Sequence, residues 1–257
     1  STMCGHGIIG LTMAGVNSGA VPVGGYAGGG GPDGDTGVLR LDTPAGRVTA
    51  FSHWEEGSVT KASFDNVPSF VYALDETVDV EGLGNIRYDV AFGGAFYAFC
   101  RAEDLNVSLE PENFRALMDL GMRVKHAVMD ALPIVHPHEP DLGFLYGTII
   151  VGDAHDPGNH SRNVCIFADG EVDRSPTGTG VSARAALLHA RGDMEAGEPF
   201  TVESILGTTF TGEVRGVTQF GPHDAVVPRI SGTSFATGIS EFFIDPKDPL
   251  GNGFILR

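Results

Sequence analysis

The stretch Asp173-Arg174-Ser175-Pro176-Thr177-Gly178-Thr179-Gly180 constrains the chain more than any other. An acid, a proline-fixed turn and two glycines run into the helix-favouring segment from Val181 to Ala190. Such a junction presents backbone N–H groups at a helix N-terminus, a position suited to a carboxylate or phosphate. The chain opens on a second segment of the same design, Met3-Cys4-Gly5-His6-Gly7-Ile8-Ile9-Gly10. It leads a reactive side chain through glycine into an apolar, helix-compatible run. Two halves that face each other are the expected arrangement.

Ser1 to Val21 contains a small-residue helix candidate with Ile8, Leu11, Met13 and Ala14, weakened by Gly10, Gly15 and Gly19. Val23 to Asp35 is glycine-rich and reads as a flexible loop. Gly29, Gly31 and Gly34 have G-x-G-x-x-G spacing there, but Pro32 interrupts and a strand pattern follows, so the dinucleotide reading fails its context. Val38 to Ser52 reads as two strands joined at Pro44-Ala45-Gly46, Val59 to Val80 continues with β-rich runs, and Ile86 to Cys100 forms a strand pair around Gly93-Gly94. Pro111 to Leu132, with Leu117, Gly121, Val124 and Val128 on one face, is the clearest amphipathic helix. Leu145 to Val151 and Asn163 to Phe167 read as strands leading into the second motif. A helix from Val181 to Arg191, ending near Gly192, and strands through Thr201 to Val217 follow it. The order motif, helix, strands thus occurs twice, and residues 204–214 loosely echo 41–51, which suggests a diverged duplication.

Composition narrows the function classes. A chain of 257 residues with 42% apolar residues can bury a sizeable core, and no apolar run approaches the length that spans a bilayer. A formal charge of −17 argues against a nucleic-acid or anionic-membrane partner. Three widely spaced cysteines, Cys4, Cys100 and Cys165, exclude a scaffold in which every cysteine is paired within the chain; they fit a reducing compartment, with cytoplasm as the default. His155 and His160 have zinc-like spacing without any accompanying C-x-x-C, and His136 and His138 alternate with prolines; no metal is expected. Gly178, Gly180 and Ala183 mimic a dinucleotide signature that the preceding turn does not support.

M-C-G-H-G at Met3–Gly7 paired with D-R-S-P-x-G-T-G at Asp173–Gly180 resembles the proline racemase family, which includes 4-hydroxyproline 2-epimerases and trans-3-hydroxy-L-proline dehydratases. The likeness extends to F-A-D-G-x-x-D-R-S-P at Phe167–Pro176 and to the segment Gly232–Leu250. It implies an α+β, diaminopimelate-epimerase-like fold of two pseudo-symmetric domains, each with a mixed sheet around a central helix and the active site between them. The first domain would comprise 1–85 plus 233–257, the second 86–232. Family members carry several strands and a helix before the first motif, so the N-terminal part of the first domain is expected to be missing from this chain. A homodimer is compatible with the resemblance.

Removing the α-proton of an amino acid without metal or pyridoxal requires a neutralised carboxylate, a protonated amine and a desolvated base. Cys4 at a helix N-terminus has its thiolate favoured by the dipole and neighbouring N–H groups. A lone cysteine is more often a small buried hydrophobe, the reading preferred for Cys100 and Cys165; for Cys4, the flanking G-H-G and the resemblance reverse it. The resemblance further implies that the N–H groups of Gly5, His6, Gly178 and Thr179 hold the substrate carboxylate, that Asp173 pairs with its ammonium, and that His6 and Phe167 line the pocket. From the residues alone, these glycines equally serve tight turns, Asp173 a turn, and Phe167 the core. Racemases carry a second cysteine where this chain has Thr177, a hydroxyl too weakly acidic to act as a second base at neutral pH. The expected activity is therefore cofactor-independent dehydration of trans-3-hydroxy-L-proline, with Cys4 as base and His6 at the departing hydroxyl. The alternatives are a proline racemase or 4-hydroxyproline 2-epimerase, and a non-catalytic binder of proline-like amino acids.

Overall fold

A computed structural model describes residues 2–21 and 37–255. The glycine-rich stretch 23–35, with its G-x-G-x-x-G spacing, lies outside the described residues. Three helices are present among those described, α1 (Gly5–Asn17), α2 (Phe114–Ala131) and α3 (Gly178–Arg191). The strands are β1 (Gly37–Thr43), β2 (Gly46–Glu55), β3 (Ser58–Asp65), β4 (Ser69–Val80), β5 (Gly84–Phe92) and β6 (Phe96–Arg101), then β7 (Leu145–Gly152), β8 (Ser161–Phe167), β9 (Glu171–Val172), β10 (Pro199–Glu203), β11 (Thr209–Phe220) and β12 (His223–Gly232). The turns read at 44–46 and 93–94 are where the sequence placed them.

All strands belong to one sheet, in the order β1-β2-β3-β12-β11-β10-β8-β7-β6-β5-β4, with β9 paired to β8. The end strand β4 also pairs back onto β12, Phe70 opposite Ala225 and Ser69 opposite Val226. The strands from β12 round to β4 therefore close into a barrel. Two of its pairings, β6 with β7 and β8 with β10, are parallel, so the sheet is mixed.

Closure explains why β5 to β8 read as nearly continuous apolar runs: strands covered on both faces bury both sets of alternating side chains. Val90, Phe92, Ala98, Ile150, Val164 and Ile166 point to α2, while Ala91, Tyr97, Phe99, Ile149 and Cys165 join the cluster of α3. The interior accepts a helix because α3 begins G-T-G-V-S-A and stays slender; a Cβ at Gly180 would strike Ile149. Outside, Leu117, Gly121, Val124 and Val128 form the buried face of α2, as their spacing predicts.

The first helix lies on β2, β3 and β12. Its buried face is Ile8, Ile9, Thr12, Met13 and Val16, and Leu11 is 46% exposed. Helical periodicity places residue 11 on the opposite side from 9, 12, 13 and 16. The mixed sheet expected around each helix surrounds α3; next to α1, the described pairings among β1, β2, β3 and β12 are all antiparallel. After β12 the chain passes α1, where the Ser234 N–H donates to the Met13 sulfur at 3.2 Å, and 233–255 form no helix or strand.

Candidate active site

The two motifs meet end to end. A Cβ built on Gly5 would lie 2.7 Å from the Gly178 Cα, and one on Gly178 would lie 2.9 Å from the Gly5 Cα. Only glycine at both positions permits that backbone approach. Neither helix is capped by its own N-cap side chain, Cys4 for α1 and Thr177 for α3. The first helical bonds are Ile8 N–H to the Cys4 carbonyl and Val181 N–H to the Thr177 carbonyl. The amides of Gly5, His6, Gly178 and Thr179 precede those bonds, so they have no helical acceptor and converge, with the positive ends of both dipoles, on one spot.

Asp173 organises the loop before α3. Its Oδ1 accepts from the Ser175 N–H at 2.8 Å, and its Oδ2 accepts from the Thr177 hydroxyl at 2.9 Å. The Thr177 N–H in turn donates to Ser175 Oγ at 3.1 Å. These bonds hold Thr177 at φ 67°, a conformation a β-branched residue resists. From the other helix, His6 Nδ1 lies 3.5 Å from Asp173 Oδ2 and 3.2 Å from Ser175 Oγ.

The three ionisable groups set one another's charge. A hydrogen bond with Asp173, reinforced by Cys4, raises His6 to about 10 against the effect of its burial. The His6 hydrogen bond lowers the Cys4 thiol, opposing burial; the His6 charge and the Gly7 amide add to it, while Asp173 pushes back. Burial alone would raise the Asp173 carboxyl, but bonds from His6, Ser175 and Thr177 keep it below its ordinary value. A thiol lowered below its ordinary value, an imidazolium and a carboxylate therefore sit together beside four free amides. The other thiols are inert: burial pushes Cys100 to about 12 and raises Cys165 as well.

The structure thus brings together Cys4, Gly5, His6, Asp173, Thr177, Gly178 and Thr179. Thr179 uses its hydroxyl inside the barrel, 2.7 Å from the Tyr97 hydroxyl, which leaves its amide for the site. Phe167 stands one ring away, stacked on Tyr146 at 5.5 Å between centroids. Tyr146 is raised by burial first, then by the charges of Cys165 and Cys4. Sequence reasoning missed Tyr97, Tyr146, Ser175 and Asn66. Asn66 donates to the Gly93 carbonyl and to Ser182 Oγ, each at 2.8 Å, pinning α3 to the β5–β6 turn. The available signal was a tyrosine inside a strand buried on both faces, which requires a partner for its hydroxyl.

Among the described residues, no three His, Cys, Asp or Glu side chains are placed to hold a metal ion. His155 lies 2.9 Å from Glu110 and His160 3.1 Å from Ser161 Oγ. No described helix is long and apolar enough to cross a membrane.

A closed mixed sheet whose inner helix meets a second helix tip to tip is a fold shared with known enzymes. The proline racemase family profile matches residues 1–255. A trans-3-hydroxy-L-proline dehydratase of Colwellia psychrerythraea is 43% identical over 257 residues, covering all of this chain and 70% of its own length. A proline racemase of Clostridioides difficile is 38% identical over 255 residues, covering 99% and 73%. The crystal structure of a hydroxyproline epimerase from Agrobacterium vitis with bound trans-4-hydroxy-L-proline superposes with a TM-score of 0.83 at 36% identity, covering 96% of this chain and 68% of that one. A Bacillus anthracis protein of the phenazine-biosynthesis PhzF family shares the fold alone, with a TM-score of 0.54 at 14% identity. The chain belongs to the proline racemase family, whose members include trans-3-hydroxy-L-proline dehydratases, proline racemases and hydroxyproline epimerases.

Proposed function

We propose that the protein dehydrates trans-3-hydroxy-L-proline to Δ1-pyrroline-2-carboxylate by one-base chemistry, acting as a hydro-lyase in the cytoplasm. The observation that carries this reading is the Thr177 hydroxyl at the start of α3, donated to Asp173 at 2.9 Å. It leaves Cys4 as the single thiol at the junction, where a two-base racemase would need a second acid on the opposite face of Cα.

The substrate carboxylate docks on the amides of Gly5, His6, Gly178 and Thr179, which stabilise the charge that develops as Cα loses its proton. Asp173 accepts from the ring ammonium, and Phe167 with Tyr146 borders the apolar face of the ring. The Cys4 thiolate takes the Cα proton, and the released electron pair forms the Cα–Cβ double bond. The 3-hydroxyl departs with a proton from the His6 imidazolium, as water. The enamine then tautomerises to the imine. Each half contributes one helix tip, the first (1–85 with 233–257) bringing Cys4 and His6, the second (86–232) bringing Asp173 and Thr177.

The test is proton NMR of the protein with trans-3-hydroxy-L-proline. Appearance of the pyrroline, with loss of one water per substrate, supports the reading; unchanged substrate at micromolar enzyme over hours contradicts it.

A further inference from the structure

The C-terminal half of α3 lines a cavity that the proposed reaction does not use. It holds about 300 Å³, and its wall carries four arginines, Arg87, Arg101, Arg184 and Arg191, and as many aspartates. The formal charges around this space balance, and what sets it apart is one arginine without an acceptor among the described residues. Arg184 is six residues beyond Gly178, about 9 Å along the helix axis, and none of the residues lining its cavity belongs to the two helix-tip motifs.

The arginines are not equivalent. Arg191 is held by Asp75 at 2.9 Å and Asp89 at 2.7 Å. Arg101 reaches Glu103 at 3.3 Å from an exposed position at the mouth. Arg184 is partly buried and, among the described residues, has no hydrogen-bond or ion-pair acceptor. Burial, then the facing Arg101 guanidinium, lowers it to about 10, with Asp89 and Asp193 opposing. A guanidinium withdrawn from water without an acceptor is unfavourable, and its planar fork matches a carboxylate or phosphate. The same barrel face carries a second unmet polar group. Asn163 stands opposite the cavity-lining Val151 across the β7–β8 pair, and both polar atoms of its side chain are buried and unpaired.

We propose that this cavity is a second binding site, for a small carboxylate or phosphate anion, with Arg184 as the anchoring fork and Arg87 and Arg101 at its mouth. The site is independent of the reaction assigned to Cys4.

The test is titration of the whole chain with inorganic phosphate and, separately, with acetate, at ionic strength held constant with sodium chloride. The assigned arginine Nε–Hε signals are followed by 1H–15N NMR. The Arg184 signal shifts saturably in at least one arm, and the responding arm distinguishes a phosphate site from a carboxylate site. Arg184→Lys abolishes saturation. Arg87→Gln and Arg101→Gln, both at exposed positions, weaken it several-fold and serve as the test if Arg184→Lys does not fold. An Arg184 signal that moves no more than that of the exposed Arg40, or saturation unchanged in both exposed-position variants, overturns the proposal.

Discussion

Gly5 and Gly178 touch backbone to backbone, so that a single methyl group on either would come within 2.7 to 2.9 Å of the other's Cα. The contact fixes the distance between two helix tips, and with it the span between the four amides proposed to hold one carboxylate. Gly5→Ala or Gly178→Ala must separate the tips or tilt a helix. A misplacement on the order of 1 Å costs about 100-fold in a positioned reaction. Each variant is expected to lose at least that factor in kcat/KM while keeping a wild-type circular dichroism spectrum. Activity within a few-fold of wild type would show that the amides do not act as a unit.

Cys4→Ser replaces a lowered thiol with a hydroxyl that stays protonated. The expected loss in kcat is about 100- to 10,000-fold, the range for a removed general base, with substrate affinity retained through the helix amides. Steady-state kinetics and calorimetric binding check both parts. Full activity in this variant would remove Cys4 from the mechanism.

The pH dependence follows from the shifted pair. Cys4 lies below its ordinary thiol value, so activity rises with pH once the thiolate forms, earlier than a free cysteine allows. His6 stays protonated up to about 10, so activity falls as pH passes that value. Asp173 is the largest cause of the raised His6 value, so Asp173→Asn moves the alkaline limb down. A pH–rate profile with the same alkaline limb in wild type and Asp173→Asn would separate His6 from that limb.

Much of this site is legible in the sequence, for a physical reason. Asp173, Thr177, Gly178 and Thr179 lie within seven residues, and Cys4, Gly5 and His6 within three, so each cluster shows as a local turn, while the site roles come from the family resemblance. Their meeting is not local. It depends on β3 continuing into β4 past Asn66 and on β4 closing onto β12, and no periodicity reports closure. The strands and α2 follow from alternation and helical spacing, whereas the small residues of α1 give a pattern too weak to show that Leu11 faces outward. Tyr146 lies 31 positions before Thr177, and no local pattern ties it to the site.

Stability rests partly on a buried pair far from the chemistry. Arg162 donates through Nε and Nη2 to Glu203 Oε2 at 2.9 and 2.8 Å, and the amides of His155 and Asp156 with Asn159 complete the carboxylate. Burial alone would raise Glu203, yet these donors bring it from 4.5 to about 2. A depressed carboxyl contributes stability that is fully present above the unfolded value and is lost as pH falls through the folded one. The contribution from Glu203 therefore disappears between about 4.5 and about 2. Arg162→Met leaves that carboxylate buried without its cation, and chemical denaturation should show a loss of about 3 to 5 kcal/mol at neutral pH. A loss under about 1 kcal/mol would mean that water or the loop amides replace the arginine.

Thr177→Cys restores a second thiol beside Asp173. Proline incubated with this variant should acquire the opposite configuration at Cα, and proline incubated with the wild type should not. Chiral chromatography of the recovered proline checks this; no inversion in the variant would show that position 177 does not select the reaction.

The proposed reaction uses a single base at one face of Cα. The most direct measurement is NMR with chiral analysis of trans-4-hydroxy-L-proline, a substrate without a 3-hydroxyl to lose, incubated with the wild-type protein in D2O. One-base chemistry predicts deuterium at Cα with the original configuration retained. Formation of cis-4-hydroxy-D-proline would show that a second acid reaches the opposite face, and would contradict the reading of Cys4 and Thr177 given above.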